Sequence, residues 1–181
     1  MLNDVYNSKI LEYAGNIEHI GRLENPDATA KAHSKLCGST VIVDLDMKGD
    51  VVTNFAHDVK ACALGQASSS IMARNIIGST SAELKQLKNT MYAMLKDNGP
   101  PPEGKFAEFR FLEPVRDYRA RHASTLLTFD AVVDCIEEIE AKRKTLAKTA
   151  VQAETRSEKK AKVQKAATTA LSAAGIGYRV R

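Results

Sequence analysis

Two thiols stand out by where they fall in the chain. Cys37 lies in Leu36-Cys37-Gly38-Ser39, at the entry to an alternating, β-branched run from Thr40 to Met47. Cys62 lies in Lys60-Ala61-Cys62-Ala63-Leu64-Gly65, where a second alternating run, Val51 to Val59, gives way to a helical pattern. Lys48-Gly49-Asp50 turns one run into the other, so the pair reads as an antiparallel hairpin, whose outer ends lie together. The two thiols are therefore expected at one edge, within reach of a shared metal. A thiol at a helix N-terminus also faces unpaired N–H groups and the positive end of the dipole, which favour thiolate, so Cys62 reads as placed for reactivity. The alternative is the ordinary one, a free cysteine acting as a small buried hydrophobe, and no CxxC pair weighs against it.

The elements that must hold these thiols follow from periodicity. Ser8 to Gly15 reads as an opening helix with Ile10, Leu11 and Tyr13, and a loop through Gly21 and Asn25-Pro26-Asp27 leads to the hairpin. Ile71, Met72, Ile76 and Ile77 form an apolar stripe that ends at Gly78, and Ser81-Ala82-Glu83 opens a second helix through Leu84, Leu87, Met91 and Leu95. Asn98-Gly99-Pro100-Pro101-Pro102 breaks it. A connecting segment with Phe106, Phe109 and Phe111 precedes a long helix expected to begin near Ser124, with Ser124 as its N-cap. Strands first and helices afterwards predict an α+β sandwich, a small antiparallel sheet with helices on one face.

Charge divides the chain unevenly. Residues 141 to 181 hold eleven Lys and Arg against two Glu, a net of +9, which leaves residues 1 to 140 at −5. The body is acidic and the basic character belongs to an Ala/Lys-rich tail. The expected division is a domain over residues 1–143 and a tail over 144–181, the tail a solvated helix or disordered. Tyr178 is the tail's one aromatic residue, without basic and aromatic interleaving, so nucleic acid is not the expected partner. No run of 18 apolar residues and no signal-like N-terminus is present, so the expectation is a cytoplasmic chain without a membrane span and with reduced thiols, three in number.

Leu36-Cys37-Gly38-Ser39 together with Val59-Lys60-Ala61-Cys62-Ala63-Leu64-Gly65-Gln66-Ala67-Ser68-Ser69-Ser70 resembles the two cysteine motifs of the NifU N-terminal, IscU and SufU scaffold family. Val115 to Ser124 aligns without gaps to the segment that carries the third cysteine in SufU-type members, and the likeness runs over roughly residues 5 to 143, the span of one ordinary domain. The resemblance implies a SufE/NifU-like fold and a role in iron–sulfur cluster assembly: a scaffold or sulfur carrier rather than an enzyme, with sulfurtransferase-like activity open. It implies a cysteine desulfurase as donor and downstream iron–sulfur acceptor or carrier proteins, with a homodimer open. Its site residues carry over as Cys37 and Cys62, for sulfur transfer and for holding a transient iron–sulfur cluster or zinc.

Two departures stand in this sequence. The family's aspartate position is Ser39 and its third cysteine position is Ser124, so half the ligand set is missing from one chain. His122, two residues before Ser124, is the candidate substitute metal ligand, the alternative being a surface or capping residue at the helix start. Cys135 lies about 16 Å farther along a helix axis, too far to serve, and His33 and His57 read as solvated positions. A second reading is a degenerate family member that binds partners without a stable cluster.

Overall fold

The computed structural model describes residues 7–173. The first helix, α1 (Ser8–Gly15), starts where Asn7 Oδ1 accepts the Ile10 N–H at 3.0 Å, and it lays Ile10 and Tyr13 into the core. A three-stranded antiparallel meander follows: β1 (Ala28–His33), β2 (Thr40–Lys48) and β3 (Val51–Lys60), adjacent in that order. Val41, Val43, Leu45 and Met47 alternate onto the buried face of β2. Gly49, with φ at +63°, makes the turn into β3 in a left-handed conformation that only glycine adopts freely. The predicted hairpin is present and ends with Thr40 opposite Lys60.

Strand β1 falls where the sequence predicted loop. Ala-Thr-Ala-Lys-Ala-His has little strand propensity of its own, yet it pairs with β2 from Ala28↔Leu45 to His33↔Thr40, so its neighbour decides its conformation. The loop before it is fastened by Asp44, whose side chain is fully buried. That carboxylate accepts from Arg22 Nε at 2.6 Å, Arg22 Nη2 at 2.9 Å, the Thr29 hydroxyl at 2.6 Å and the Leu23 N–H at 2.9 Å. Burial pushes its pKa up, but these donors outweigh burial and hold it below the ordinary carboxylate value. His57 on β3 is fully buried rather than solvated, the reverse of the expectation; its Nε2 donates to Glu18 O at 2.9 Å and its Nδ1 has no partner. Burial holds its pKa down at about 4.

Helices α2 (Ala63–Asn75) and α3 (Ser81–Lys96) follow, α3 opening on a capping box in which Thr80 and Glu83 exchange hydrogen bonds. The connecting segment is itself ordered, a 3-10 helix over Gly104–Asp117. Phe106, Phe109, Leu112 and Val115 are buried at every third position, the repeat at which 3-10 side chains eclipse, so one edge of this helix points inward. The last helix, α4, runs Arg119–Ala173 and begins before Ser124. Its buried residues include Leu126, Phe129, Val132, Cys135, Ile136 and Ile139. The result is the predicted α+β arrangement, with sheet and helices sharing one apolar core.

By its contacts the chain separates into a unit that ends at Ile139 and another that begins at Glu140. The second unit, taken by itself, is helical to Ala173, and residues 141–150 are all exposed. Tyr178 lies outside the described residues. Among the described residues no helix is long and apolar enough to cross a membrane.

Candidate functional site

Cys37 sits in a tight turn between β1 and β2. The Gly38 N–H donates to Ser34 O and the Ser34 N–H donates to Ser39 O, both at 2.9 Å, while Gly38 takes φ of +73°. This closure folds the buried serines at positions 34 and 39 around the sulfur, their Oγ atoms 3.3 and 3.1 Å from Cys37 Sγ. Cys37 itself is exposed. When the thiol ionises, both hydroxyls donate to the thiolate, Ser34 with the larger effect, and the Ser39 N–H and the Arg121 guanidinium add to it. Together they bring its pKa down to about 7 against a weaker opposing effect of burial.

Cys62 is the N-cap residue of α2, as its position in the sequence implied, and it is half-buried. Its side chain makes no capping bond; its Sγ lies 3.4 Å from Ser124 Oγ. Gly65 allows that approach, since a Cβ there would stand 2.9 Å from Ser124 O and 2.7 Å from the Ala61 Cβ. Ser124 is not an N-cap: it lies within α4, and its hydroxyl donates to Arg121 O one turn earlier at 3.0 Å. The opening of α4 therefore serves both thiols, Arg121 acting on Cys37 and Ser124 touching Cys62. Both cysteines lie just beyond the hairpin end marked by the Thr40↔Lys60 pair.

This geometry reverses one emphasis. The exposed thiol with donors arranged for its thiolate is Cys37, whereas Cys62 is partly covered by α4. Ser34 and Arg121 belong to the site without having been singled out in the sequence. Each has a faint signal there: Ser34 stands three residues before the cysteine of a Gly38 turn, and Arg121 stands one helical turn before Ser124.

His122 takes up a different task from the one expected. It is buried, and its Nε2 donates to the carbonyls of Arg116 at 2.9 Å and Val115 at 3.2 Å, tying the 3-10 helix to the start of α4. His122 and His33 line a cleft with Tyr92 and Arg116 on the flank of α4. Among the described residues no three His, Cys, Asp or Glu side chains are grouped as metal ligands, so Cys37, Cys62 and His122 do not form a ready tetrahedral zinc site. Cys135 is fully buried, its Sγ 3.4 Å from Val43 O, and burial drives its pKa up to about 12. It is a core residue and chemically silent in the fold.

The α+β fold has counterparts among known proteins. The model of the NifU-like N terminal domain matches residues 5–125, and this chain belongs to that family. The crystal structure of a nitrogen-fixing NifU-like protein (N-terminal) from Brucella abortus is 67% identical, with a TM-score of 0.77, and the match covers 78% of this chain and 98% of that one. A curated relative, the iron–sulfur cluster assembly scaffold protein IscU of Thermotoga maritima, is 24% identical over 75% of this chain and 94% of its own length. A putative scaffold protein for the SUF system from Fervidobacterium islandicum, 22% identical with a TM-score of 0.69 over 74% of this chain and 98% of that one, shares the fold.

Proposed function

We propose that this protein acts in iron–sulfur cluster assembly as a sulfur acceptor and scaffold, with Cys37 receiving sulfur and Cys62 serving as the second thiol of the site. The observation that carries this reading is the turn at Cys37, where an exposed thiol is flanked by two hydroxyls and an arginine that favour its thiolate. The Cys37 thiolate attacks the terminal sulfur of a persulfide held by a cysteine desulfurase. A new S–S bond forms on Cys37, the donor's S–S bond breaks, and its electron pair leaves on the donor thiolate. The NifU-like family assignment and the scaffold names of its relatives support this function, and downstream acceptor or carrier proteins would take the product.

The test is to incubate the metal-free protein with a cysteine desulfurase and cysteine, then locate added sulfur by mass spectrometry of peptides. Sulfur on Cys37, lost in Cys37→Ser and retained in Cys135→Ala, is the expected result. Sulfur absent from both Cys37 and Cys62 would leave the partner-binding reading, which the serines at positions 39 and 124 favour.

A further inference from the structure

A cleft of about 870 Å³ lies between α3, the end of the 3-10 helix and the first turns of α4, and sulfur acceptance at Cys37 leaves it unused. Arg119, His122, Ala123, Leu126, Leu127 and Asp130 line it along one face of α4, about 16 Å at 1.5 Å per residue. Three cations reach it from three elements: Lys96 ends α3, Arg116 lies next to the end of the 3-10 helix, and Arg119 begins α4. Lys96 and Arg119 are exposed, and Arg119 has no ion pair among the described residues. Arg116 donates through Nη2 to Glu113 Oε1 at 2.6 Å and to Gly99 O at 3.4 Å, but its buried Nε has no acceptor. A guanidinium N–H shut away from water without an acceptor is costly, so this lining residue gains from an incoming oxygen. Of the two carboxylates in the lining, Asp130 is already engaged: it accepts from the Tyr92 hydroxyl at 2.9 and 3.0 Å and pairs with Lys88 at 3.0 Å. Asp117, exposed, is the one that opposes an anion.

Resting on the scaffold reading above, we propose that this cleft receives iron as an anionic oxygen chelate, a ferric complex of a small polycarboxylate or polyphosphate. The cations recognise the chelator and not the metal. Among the described residues no three His, Cys, Asp or Glu side chains are grouped to ligate iron, whereas guanidinium and ammonium groups match the outer oxygens of a bound carboxylate or phosphate. Size agrees, since this volume is that of a site for a ligand well beyond one small acid. A nucleotide fits less well: Tyr92, the one Phe, Tyr or Trp of the lining, has the ammonium groups of Lys96 and Lys88 at 4.4 and 5.9 Å from its ring centroid, which leaves no clear face for a base. Position supplies the use. His33 lines the cleft, and the next residue, Ser34, holds its Oγ 3.3 Å from Cys37 Sγ; Arg119 lines it too, while Arg121 acts on the Cys37 thiol. The chelate is thus held on the elements that build the thiol turn.

The full-length chain is prepared metal-free with Cys37→Ser and Cys62→Ser, so that neither thiol can ligate iron, and is titrated calorimetrically at low salt with ferric citrate and, separately, with ferric pyrophosphate. The expected result is about one complex per chain, bound more tightly than the free chelator, and the tighter of the two arms names the chelator class. Arg119→Ala and Lys96→Ala, each with the wild-type circular dichroism spectrum, should weaken binding about tenfold, the order expected for loss of one charge-assisted hydrogen bond. Asp117→Asn should strengthen it, and uncharged ferric acetohydroxamate should not bind. No binding of either chelate would overturn the inference, and so would a free chelator that binds as tightly as its iron complex. Binding that ignores all three cleft substitutions would overturn it too, since the anion then sits elsewhere, the basic tail included. Sulfur transfer to Cys37 from a desulfurase is measured in parallel on the wild-type chain: sulfur found there preserves the acceptor reading when the cleft fails, and its absence removes that reading by itself.

Discussion

The turn around Cys37 makes a quantitative prediction about its chemistry. Replacing both flanking hydroxyls, Ser34→Ala with Ser39→Ala, removes the two largest causes of the lowered pKa and returns the thiol toward the ordinary value of about 8.5. At pH 7 the thiolate fraction then falls from about one half to about 3%, roughly fifteenfold. The more basic thiolate is also the better nucleophile, and a Brønsted slope of about 0.4–0.5 recovers roughly four- to sixfold of that loss. The alkylation rate at pH 7 should therefore drop only about threefold, while the midpoint of the pH–rate curve moves up by about 1.5 units. The assay is iodoacetamide labelling of metal-free protein from pH 5.5 to 9.5, with Cys37 quantified by peptide mass. Single variants should order as the structure orders the causes, Ser34→Ala shifting the midpoint more than Arg121→Gln. An unmoved midpoint in the double variant, with the fold intact by circular dichroism, would refute the argument that these hydroxyls set the thiol's acidity.

Ser39→Asp combined with Ser124→Cys should complete four donors within one chain and raise iron and sulfide content per chain far above wild type after anaerobic reconstitution, with each single change doing less. His57, neutral in the fold with a pKa of about 4 against about 6.5 when unfolded, should make stability fall as pH drops through that window, by up to about 3 kcal/mol. Asp44, whose pKa is lowered in the fold, extends the loss below the ordinary carboxylate range, and urea denaturation from pH 7 to 3 should lose its upper phase in His57→Gln. Gly65→Ala gains about 1 kcal/mol of helix propensity but meets Ser124 O at 2.9 Å; overpacking of about 1–3 kcal/mol should win, lowering the urea midpoint. We propose that residues 144–181 form a separable tail, so a chain ending at Arg143 should keep a cooperative melt, and aggregation of that truncation would refute the boundary.

The hairpin, α2 and α3 were legible because their apolar residues repeat with the period of the structure they form. Strand β1 was not, since Ala28–His33 owes its conformation to pairing along β2 and not to its own side chains. The 3-10 helix hid for a different reason: the spacing of Phe106, Phe109, Leu112 and Val115 was visible, but a period of three is rarely sustained over fourteen residues. Cys62 at a helix start could be read from the change of pattern around it. The cradle of Cys37 could not, because it depends on the left-handed turn at Gly38 bringing Ser34 and Ser39 to one sulfur. The bonding of His122 was not legible, since adjacency to a ligand position says nothing about which way an imidazole faces, and in the fold it faces two backbone carbonyls.

The burial of Cys135 turns the chain into its own unfolding gauge. Its sulfur is enclosed between α4 and β2 and its pKa stands at about 12, so a thiol reagent reaches it only after those elements part. Labelling of Cys37 and Cys62 reports on the working edge, while labelling of Cys135 counts excursions through the open state. When reclosing is faster than labelling, the ratio of its rate to that of an unfolded thiol is the equilibrium constant for opening. A single time course on unmodified protein thus separates a substitution that dulls the site from one that loosens the molecule holding it.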